Sequence, residues 1–406
     1  MVYELIEFQA KSIPRENVTD QEGADLWQAY KKLDVDFPTT KTGGQWQFKS
    51  RGVVGYIPIR EAEGMRIQPK AKVSNIFRMW ELAYHVPLQW LEGTTHVASM
   101  EELYSQIVGY LADHVLRRVR RGIYRAYVAR TEPLPYVRGR LDLADVLRKP
   151  WDTKLTCQFD EHTADIEDNQ LLLAALRVGA QNAACANPVR PRIRQAYWSL
   201  QQLVTPATVV ASDCLHRTYN RLNSDYEHLH YLCSFILEHS GPSHHLGSKA
   251  LRPFIVDMAS LFERFVAEWI IENAPLGTKV ERQMHLAVSE GVEFKPDLVI
   301  WSPDTGKPEI VLDTKYKLDK IPDPSDIAQV VAYCEALGCD RAVLLYPMKD
   351  ISHFDSKVGD IRVQSISFAL DDDMASAGHI LMRELRKSNE GPASLDGSPL
   401  AGMVPS

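Results

Sequence analysis

The chain has 406 residues, 45% apolar and 24% charged, with a formal net charge of −7. That composition belongs to an ordinary globular protein and excludes disorder throughout, while the acidic balance argues against wholesale coating of nucleic acid. The length allows two or three domains, each with enough apolar residues to bury a core.

The first segment, MVYELIEFQA, carries acids where an export signal carries a basic stretch and an apolar core, so a cytoplasmic location is expected. Ala24 to Leu33 has helical spacing. Gly52 to Ile59 reads as a strand, Gly64 as a turn and Met65 to Gln68 as a second strand ending at Pro69, which predicts a hairpin. Ile76 to Tyr84 and Met100 to Arg121 read as helices, the latter with Leu103, Ile107, Tyr110, Leu111 and Val115 at helical spacing. That helix runs into a basic segment. From Arg117 to Lys149 there are ten basic residues (Arg117, Arg118, Arg120, Arg121, Arg125, Arg130, Arg138, Arg140, Arg148, Lys149) against Glu132, Asp142 and Asp145. Three readings stay open for it: a contact with a partner, a contact with DNA phosphates, or a solvated helix end.

Asp165 to Ala186 and Tyr219 to Glu238 are two further helical patterns, separated by the Pro- and Arg-rich PVRPRIRQ. The run Leu171 to Ala180 is the most apolar stretch, but Arg177 breaks it, so no membrane span is expected. Ser240 to Ser248 has linker composition and is the expected domain boundary. Beyond it come a helix (Asp257 to Asn273), strands at Lys279 to Ser289, Pro296 to Trp301 and Glu309 to Lys317, a helix (Ser325 to Leu337) and a strand (Arg341 to Tyr346), in the order αβββαβ. A strand (Ile361 to Ala369) and a helix (Ile380 to Arg386) follow, and the tail 387–406 has little to bury and is expected to be disordered. The fold class is therefore mixed, α+β or α/β, with more than one domain. Cys157, Cys185, Cys214, Cys233, Cys334 and Cys339 show no metal-ligand spacing and read as reduced thiols.

The chemistry is expected in the C-terminal strands. Asp313 and Lys315 are two apart on one strand and so share a face, and Asp297 opens the neighbouring strand. Mg²⁺ takes one or two carboxylates plus waters and substrate phosphate, which Asp297, Asp313 and the Thr314 carbonyl can provide. Such an ion activates water and polarises a phosphoryl group, and Lys315 offsets charge on the transition state, so the expected reaction is phosphodiester hydrolysis. An Asp-x-Lys tripeptide alone is weak evidence, since Asp152-Thr153-Lys154 and Asp355-Ser356-Lys357 also match. Asp152 lies in a loop-like stretch and Asp355 is expected between elements; only Asp297 and Asp313 lie on consecutive predicted strands after a helix. On that helix Glu263 is either solvent-facing or a carboxylate reaching the metal site. Gln329 shares a helix face with Tyr333 and either holds the lysine or a DNA phosphate, or serves packing.

These residues resemble the PD-(D/E)xK nucleases, and the chain is similar to the McrC family of McrBC modification-dependent restriction systems over about Gly52 to Tyr346. The resemblance rests on several ordered blocks: VGYIPI…IQPK, RGIYRAY…VRGRLDL, FDEHTADIEDNQLLLAAL, NRLNSDYEHL, DMASLFERFV, PDLVI, LDTKYK and DIAQVVAY. It implies that Asp297, Asp313 and Lys315 are the catalytic set, with Glu263 and Gln329 in support. It also implies a partner, an McrB-like AAA+ GTPase ring that recognises modified double-stranded DNA, and a docking domain over residues 1–240 with a finger-like projection that stimulates GTP hydrolysis. The nuclease domain is then expected over 250–386. No P-loop is present, since Thr305-Gly306-Lys307-Pro308 lacks the upstream glycine and the hydroxyl residue, so a motor must come from elsewhere. Two other readings remain at this point: a non-catalytic activator of the ring, and a stand-alone nuclease.

Overall fold

The computed structural model describes residues 1–60, 63–84, 99–185, 188–215, 217–241, 244–246, 249–289, 291–317, 321–349, 352–371 and 373–387. The disorder expected for the tail falls on residues 388–406, outside the described ones. The chain divides into two compact units, Met1–Met258 and the residues from Ala259 onward. The division falls later than the polar 240–248 segment, in which His244–Leu246 forms a short strand paired with Lys249–Leu251.

The first unit contains, in chain order, β1 (Val2–Ile6), β2 (Ala10–Ile13), α1 (Asp20–Ala29), β3 (Leu33–Asp36), β4 (Trp46–Ser50), β5 (Val53–Arg60), β6 (Glu63–Gln68), α2 (Val73–Ala83) and α3 (Met100–Arg121). It continues with β7 (Ala126–Leu134), β8 (Arg140–Leu141), α4 (Leu143–Arg148), β9 (Leu155–Thr163), α5 (Glu167–Gln181), α6 (Arg190–Gln201), α7 (Tyr226–Glu238), β10 (His244–Leu246), β11 (Lys249–Leu251) and β12 (Phe254–Asp257). The expected hairpin is β5–β6, and it sits inside a four-stranded sheet ordered β1-β6-β5-β12. A three-stranded sheet, β2-β4-β3, is built around Trp46 and Phe48, both fully buried. Trp46 keeps its indole N–H satisfied by donating to the Val18 carbonyl at 2.9 Å. Between β5 and β12 only glycine serves at position 55: its φ is +125°, and a Cβ there would stand 2.1 Å from the Phe254 carbonyl oxygen.

Helix α1 begins in a capping box between Thr19 and Glu22, and α3 runs from the Ser99 cap to Gly122. Helix α3 packs against α5, α6 and α7. The Pro- and Arg-rich stretch between the two helical patterns, for which no element is expected, enters helix α6, with Pro191 in its first turn, where a missing N–H costs nothing, and Ile193, Ala196 and Leu200 buried. Strands β7 and β9 form a long antiparallel pair whose faces alternate between half-buried and exposed, and β8 joins them. All six cysteines are free and buried.

The second unit comprises α8 (Met258–Asn273), β13 (Lys279–Arg282), β14 (Leu286–Ser289), β15 (Val292–Phe294), β16 (Leu298–Trp301), β17 (Pro308–Thr314), α9 (Pro324–Leu337), β18 (Arg341–Tyr346), β19 (Asp355–Val358), β20 (Ile361–Ser367) and α10 (Met374–Arg386). Its six-stranded sheet is ordered β13-β16-β17-β18-β20-β19. Strands β13, β16 and β17 pair antiparallel, and β17, β18 and β20 pair parallel. The main-sheet elements α8, β13, β16, β17, α9 and β18 run in the expected αβββαβ order, with the β14–β15 hairpin inserted. The strand expected over Lys279 to Ser289 is broken at Gln283, whose φ of +45° turns the chain while its amide donates to the Asp297 carbonyl at 2.8 Å. Asp355, expected between elements, opens β19, where Arg362 grips both of its oxygens at 2.8 and 2.7 Å. Helix α10 starts at Met374, earlier than expected, because Asp373 caps it through Ser376. Among the described residues no helix is long and apolar enough to cross a membrane.

Candidate active site

The site is built where β16 and β17 meet the first turns of α9. Leu298 pairs with Leu312 and Val299 with Val311, so one further step of the same register sets Asp297 opposite Asp313. Residues directly opposite in an antiparallel pair present their side chains on one face about 5 Å apart, and like charges placed so repel. Flanking residues Leu312, Val311 and Leu298 are fully buried, so the two carboxylates emerge from an apolar strand pair rather than from a solvated edge.

Asp313 is only 2% exposed. Burial first, and then the charge of Asp297, push its carboxyl up to about 7. Asp297 is raised too, chiefly by burial, although bonds from Thr314 pull the other way. The Thr314 amide and hydroxyl both donate to Asp297 Oδ2, at 2.7 and 2.8 Å. Lys315 Nζ lies 2.6 Å from Asp313 Oδ2, 3.5 Å from Asp326 Oδ1 and 3.0 Å from Gln329 Oε1. Burial works against the Lys315 ammonium, but Asp313 and Asp326 outweigh it and hold its pKa above the ordinary lysine value.

Gln329 in turn donates from its amide nitrogen to the Tyr333 hydroxyl at 2.6 Å, which leaves its carbonyl oxygen facing Lys315. Of the readings open for Gln329, the structure places it on the lysine. Asp326 was not singled out by sequence, although it lies on the same helix face as Gln329 and Tyr333; Lys317 Nζ holds it at 2.9 and 3.1 Å. Glu263, on α8, is half-buried and accepts from Gln283 Nε2 at 2.8 Å. Its carboxyl is raised by burial and then by Asp297, so it stands within reach of the Asp297 charge. Among the described residues, however, no group of three or more His, Cys, Asp or Glu is gathered for a metal ion, so Glu263 does not complete a three-carboxylate cluster. The acid pair by itself matches the donor demand of Mg²⁺, an oxygen-preferring ion that takes one or two carboxylates. Two opposed, buried carboxylates also carry more negative charge than Lys315 alone neutralises.

The basic segment lies in the first unit, and its members differ. Arg118 donates to the Leu222 carbonyl at 2.7 Å, pairs with Asp225 at 3.0 Å and lies over the Tyr226 ring, so it holds the loop before α7 to α3. Arg138 lies over Phe159 and, at 3.9 Å, beside Glu161, which also pairs with Arg130. Arg117 donates to the His114 ring. Arg117, Arg120, Arg121, Arg125 and Arg140 are exposed and form no ion pair among the described residues.

The family model for the McrBC 5-methylcytosine restriction system component matches residues 48–347. Among solved structures, the chain is similar to one in the refined half-complex from the tetradecameric assembly of Thermococcus gammatolerans McrB AAA+ hexamers with bound McrC. That match has 19% identity and a TM-score of 0.57, and it covers 95% of this chain and 99% of the other. A second similar chain is from the cryo-EM structure of the Thermococcus gammatolerans McrBC complex, at 20% identity and a TM-score of 0.42, covering 68% of this chain and 88% of that one. No curated protein matches.

Proposed function

Because the chain belongs to the family of McrBC 5-methylcytosine restriction system components, we propose that it is the nuclease subunit of such a system and cuts modified double-stranded DNA. The observation that carries this reading is the opposition of Asp297 and Asp313 across β16 and β17, with Lys315 ion-paired to Asp313. The second unit is then a PD-(D/E)xK nuclease domain. Thr314 fixes Asp297, Gln329 and Asp326 hold the Lys315 ammonium, and Asp313, near the end of β17, pairs with that ammonium. Asp297 and Asp313 are the residues that would hold Mg²⁺, which would supply the charge that polarises a phosphodiester and eases deprotonation of water. Lys315 contributes a fixed positive charge toward the oxygens that become more negative during attack, which costs no reorganisation at the moment of reaction.

The partner in this reading is an McrB-like AAA+ GTPase ring, like the McrB hexamers named in the similar structure. The first unit docks on that ring and stimulates GTP hydrolysis. Exposed Tyr127 on β7, Leu143 and Leu147 on α4, and Trp151 give the small β7–β9 sheet an apolar surface for the contact.

The test is DNA cleavage by the chain with its AAA+ partner, GTP and Mg²⁺, scored beside GTP hydrolysis in the same reactions. Asp313→Ala is expected to abolish cleavage, as is chelation of the metal, while GTPase stimulation survives. Cleavage by Asp313→Ala would place the nuclease elsewhere. A wild type that stimulates GTP hydrolysis and never cuts would identify a non-catalytic activator.

A further inference from the structure

The ammonium of Lys315 has two carboxylates to choose between. Asp313 takes it at 2.6 Å, and Asp326, arriving from the first turn of α9, stands 3.5 Å away. Asp326 is 5% exposed and also held by Lys317, so it is a buried carboxylate with a partner of its own whichever way Lys315 turns. Gln329 Oε1 lies 3.0 Å from the ammonium and is locked by Tyr333, which keeps the amine next to both acids.

On the nuclease reading above, Asp313 must serve a divalent cation, and an ammonium on the same carboxylate repels that ion. Lys315 is mostly buried and cannot retreat into water without losing its pairing. We propose that Asp326 is a positioning residue: it is the alternate seat of the Lys315 ammonium, taking it over when a divalent cation occupies Asp313. Lys317 keeps Asp326 neutralised while Lys315 is on Asp313 and shares it afterwards. The hand-over leaves Lys315 charged beside the acid pair and removes it as a competitor of the ion.

The full-length chain can be titrated with Mn²⁺ by calorimetry, without DNA or partner. Wild type, Asp326→Asn, Lys315→Ala, the double variant and Asp313→Asn are compared, with thermal unfolding of each as a control. Asp326→Asn is expected to weaken Mn²⁺ binding on the order of tenfold, since Lys315 then has Asp313 as its remaining carboxylate. In the Lys315→Ala background the same substitution is expected to change nothing, and Asp326→Glu is expected to restore wild-type affinity. A merely structural role predicts an equal loss with and without Lys315, which would overturn the proposal, as would Asp326→Asn binding Mn²⁺ like wild type. If wild type takes no Mn²⁺ that Asp313→Asn abolishes, the metal reading itself falls and this one with it. If wild type binds and only the coupling is missing, Asp326 alone loses its role.

Discussion

Thr314 ties itself to Asp297 twice, through its amide and its hydroxyl, and both bonds end on the same carboxylate oxygen. The first bond belongs to the backbone and survives any substitution other than proline. The second is specific to a hydroxyl. Thr314→Val keeps shape and β-branching while deleting one donor, so it is expected to cost about 1 kcal/mol in denaturant unfolding. It is also expected to lower DNA cleavage while leaving GTPase stimulation unchanged. Equal cleavage by Thr314→Val and wild type would mean that the amide alone fixes Asp297.

Gln283 holds a left-handed backbone, and its side-chain amide reaches Glu263 without relieving that strain. Gln283→Gly relieves the backbone and is expected to raise stability by up to about 1 kcal/mol. It also releases Glu263. Thermal unfolding and cleavage measured together separate the two effects, and a variant that is both more stable and fully active would show that Glu263 needs no such anchor.

At Gly55 the prediction concerns the first unit alone. A Cβ would meet the Phe254 carbonyl at 2.1 Å on a backbone with φ of +125°. Gly55→Ala is expected to destabilise by more than about 3 kcal/mol, because two separate mechanisms coincide. Equilibrium unfolding checks it, and a loss under about 1 kcal/mol would mean that β5 and β12 part easily.

The arginines of α3 are expected to divide into two kinds. Arg118→Ala should lower thermal stability, because three bonding partners of the guanidinium lose it together. Arg120→Ala and Arg121→Ala should leave stability within about 0.5 kcal/mol. If the segment binds DNA, those two also make binding less sensitive to salt, by roughly one released ion for each phosphate no longer neutralised. If it binds the ring, DNA affinity is unchanged and GTPase stimulation falls.

His114 carries a pH signature. Burial, with Arg117 beside it, holds its pKa below the ordinary histidine value of 6.5, while the Tyr110 carbonyl, Asp113 and Asp225 oppose the shift only in part. The unfolded chain therefore takes up a proton near 6.5 that the folded chain refuses, so stability present above that pH is lost as pH falls below it. His114→Gln is expected to flatten part of this acid-side loss in thermal unfolding scans from about pH 7.5 to about 5. An unchanged pH slope would assign the acid sensitivity to other groups, His230 and His228 among them.

Much of the candidate site was legible because strand alternation is local. Asp313 and Lys315 share a face by their spacing, and the place of Asp297 follows once two consecutive strands are read. Helix α3 was legible to its bounds, since Ser99, the apolar spacing and Gly122 all lie within its own sequence. What stayed hidden depends on partners brought in by the fold. The break at Gln283 is set by the carbonyl of Asp297, further along the chain. Asp326 looked like an ordinary first-turn acid of a helix until two lysines arrived from the neighbouring strand end. Asp355 resembled a charge between elements because its grip on Arg362 needs β19 and β20 to pair first. Helix α6 was hidden by composition: its Pro- and Arg-rich start gives little periodicity, and its buried face carries just three apolar side chains, Ile193, Ala196 and Leu200.

Strand β17 is bonded antiparallel to β16 on one side and parallel to β18 on the other, deep within a six-stranded sheet. Amide hydrogens in such a strand exchange with solvent deuterium only when the surrounding sheet opens, so the segment bearing Asp313 should be among the slowest in its unit. Asp313 is thus held in the sheet interior, and Asp297, one residue before β16, is tied to the end of β17 by Thr314. On the nuclease reading proposed above, control of cutting would then act on access to the carboxylates or on the charges around them rather than on the backbone of β17.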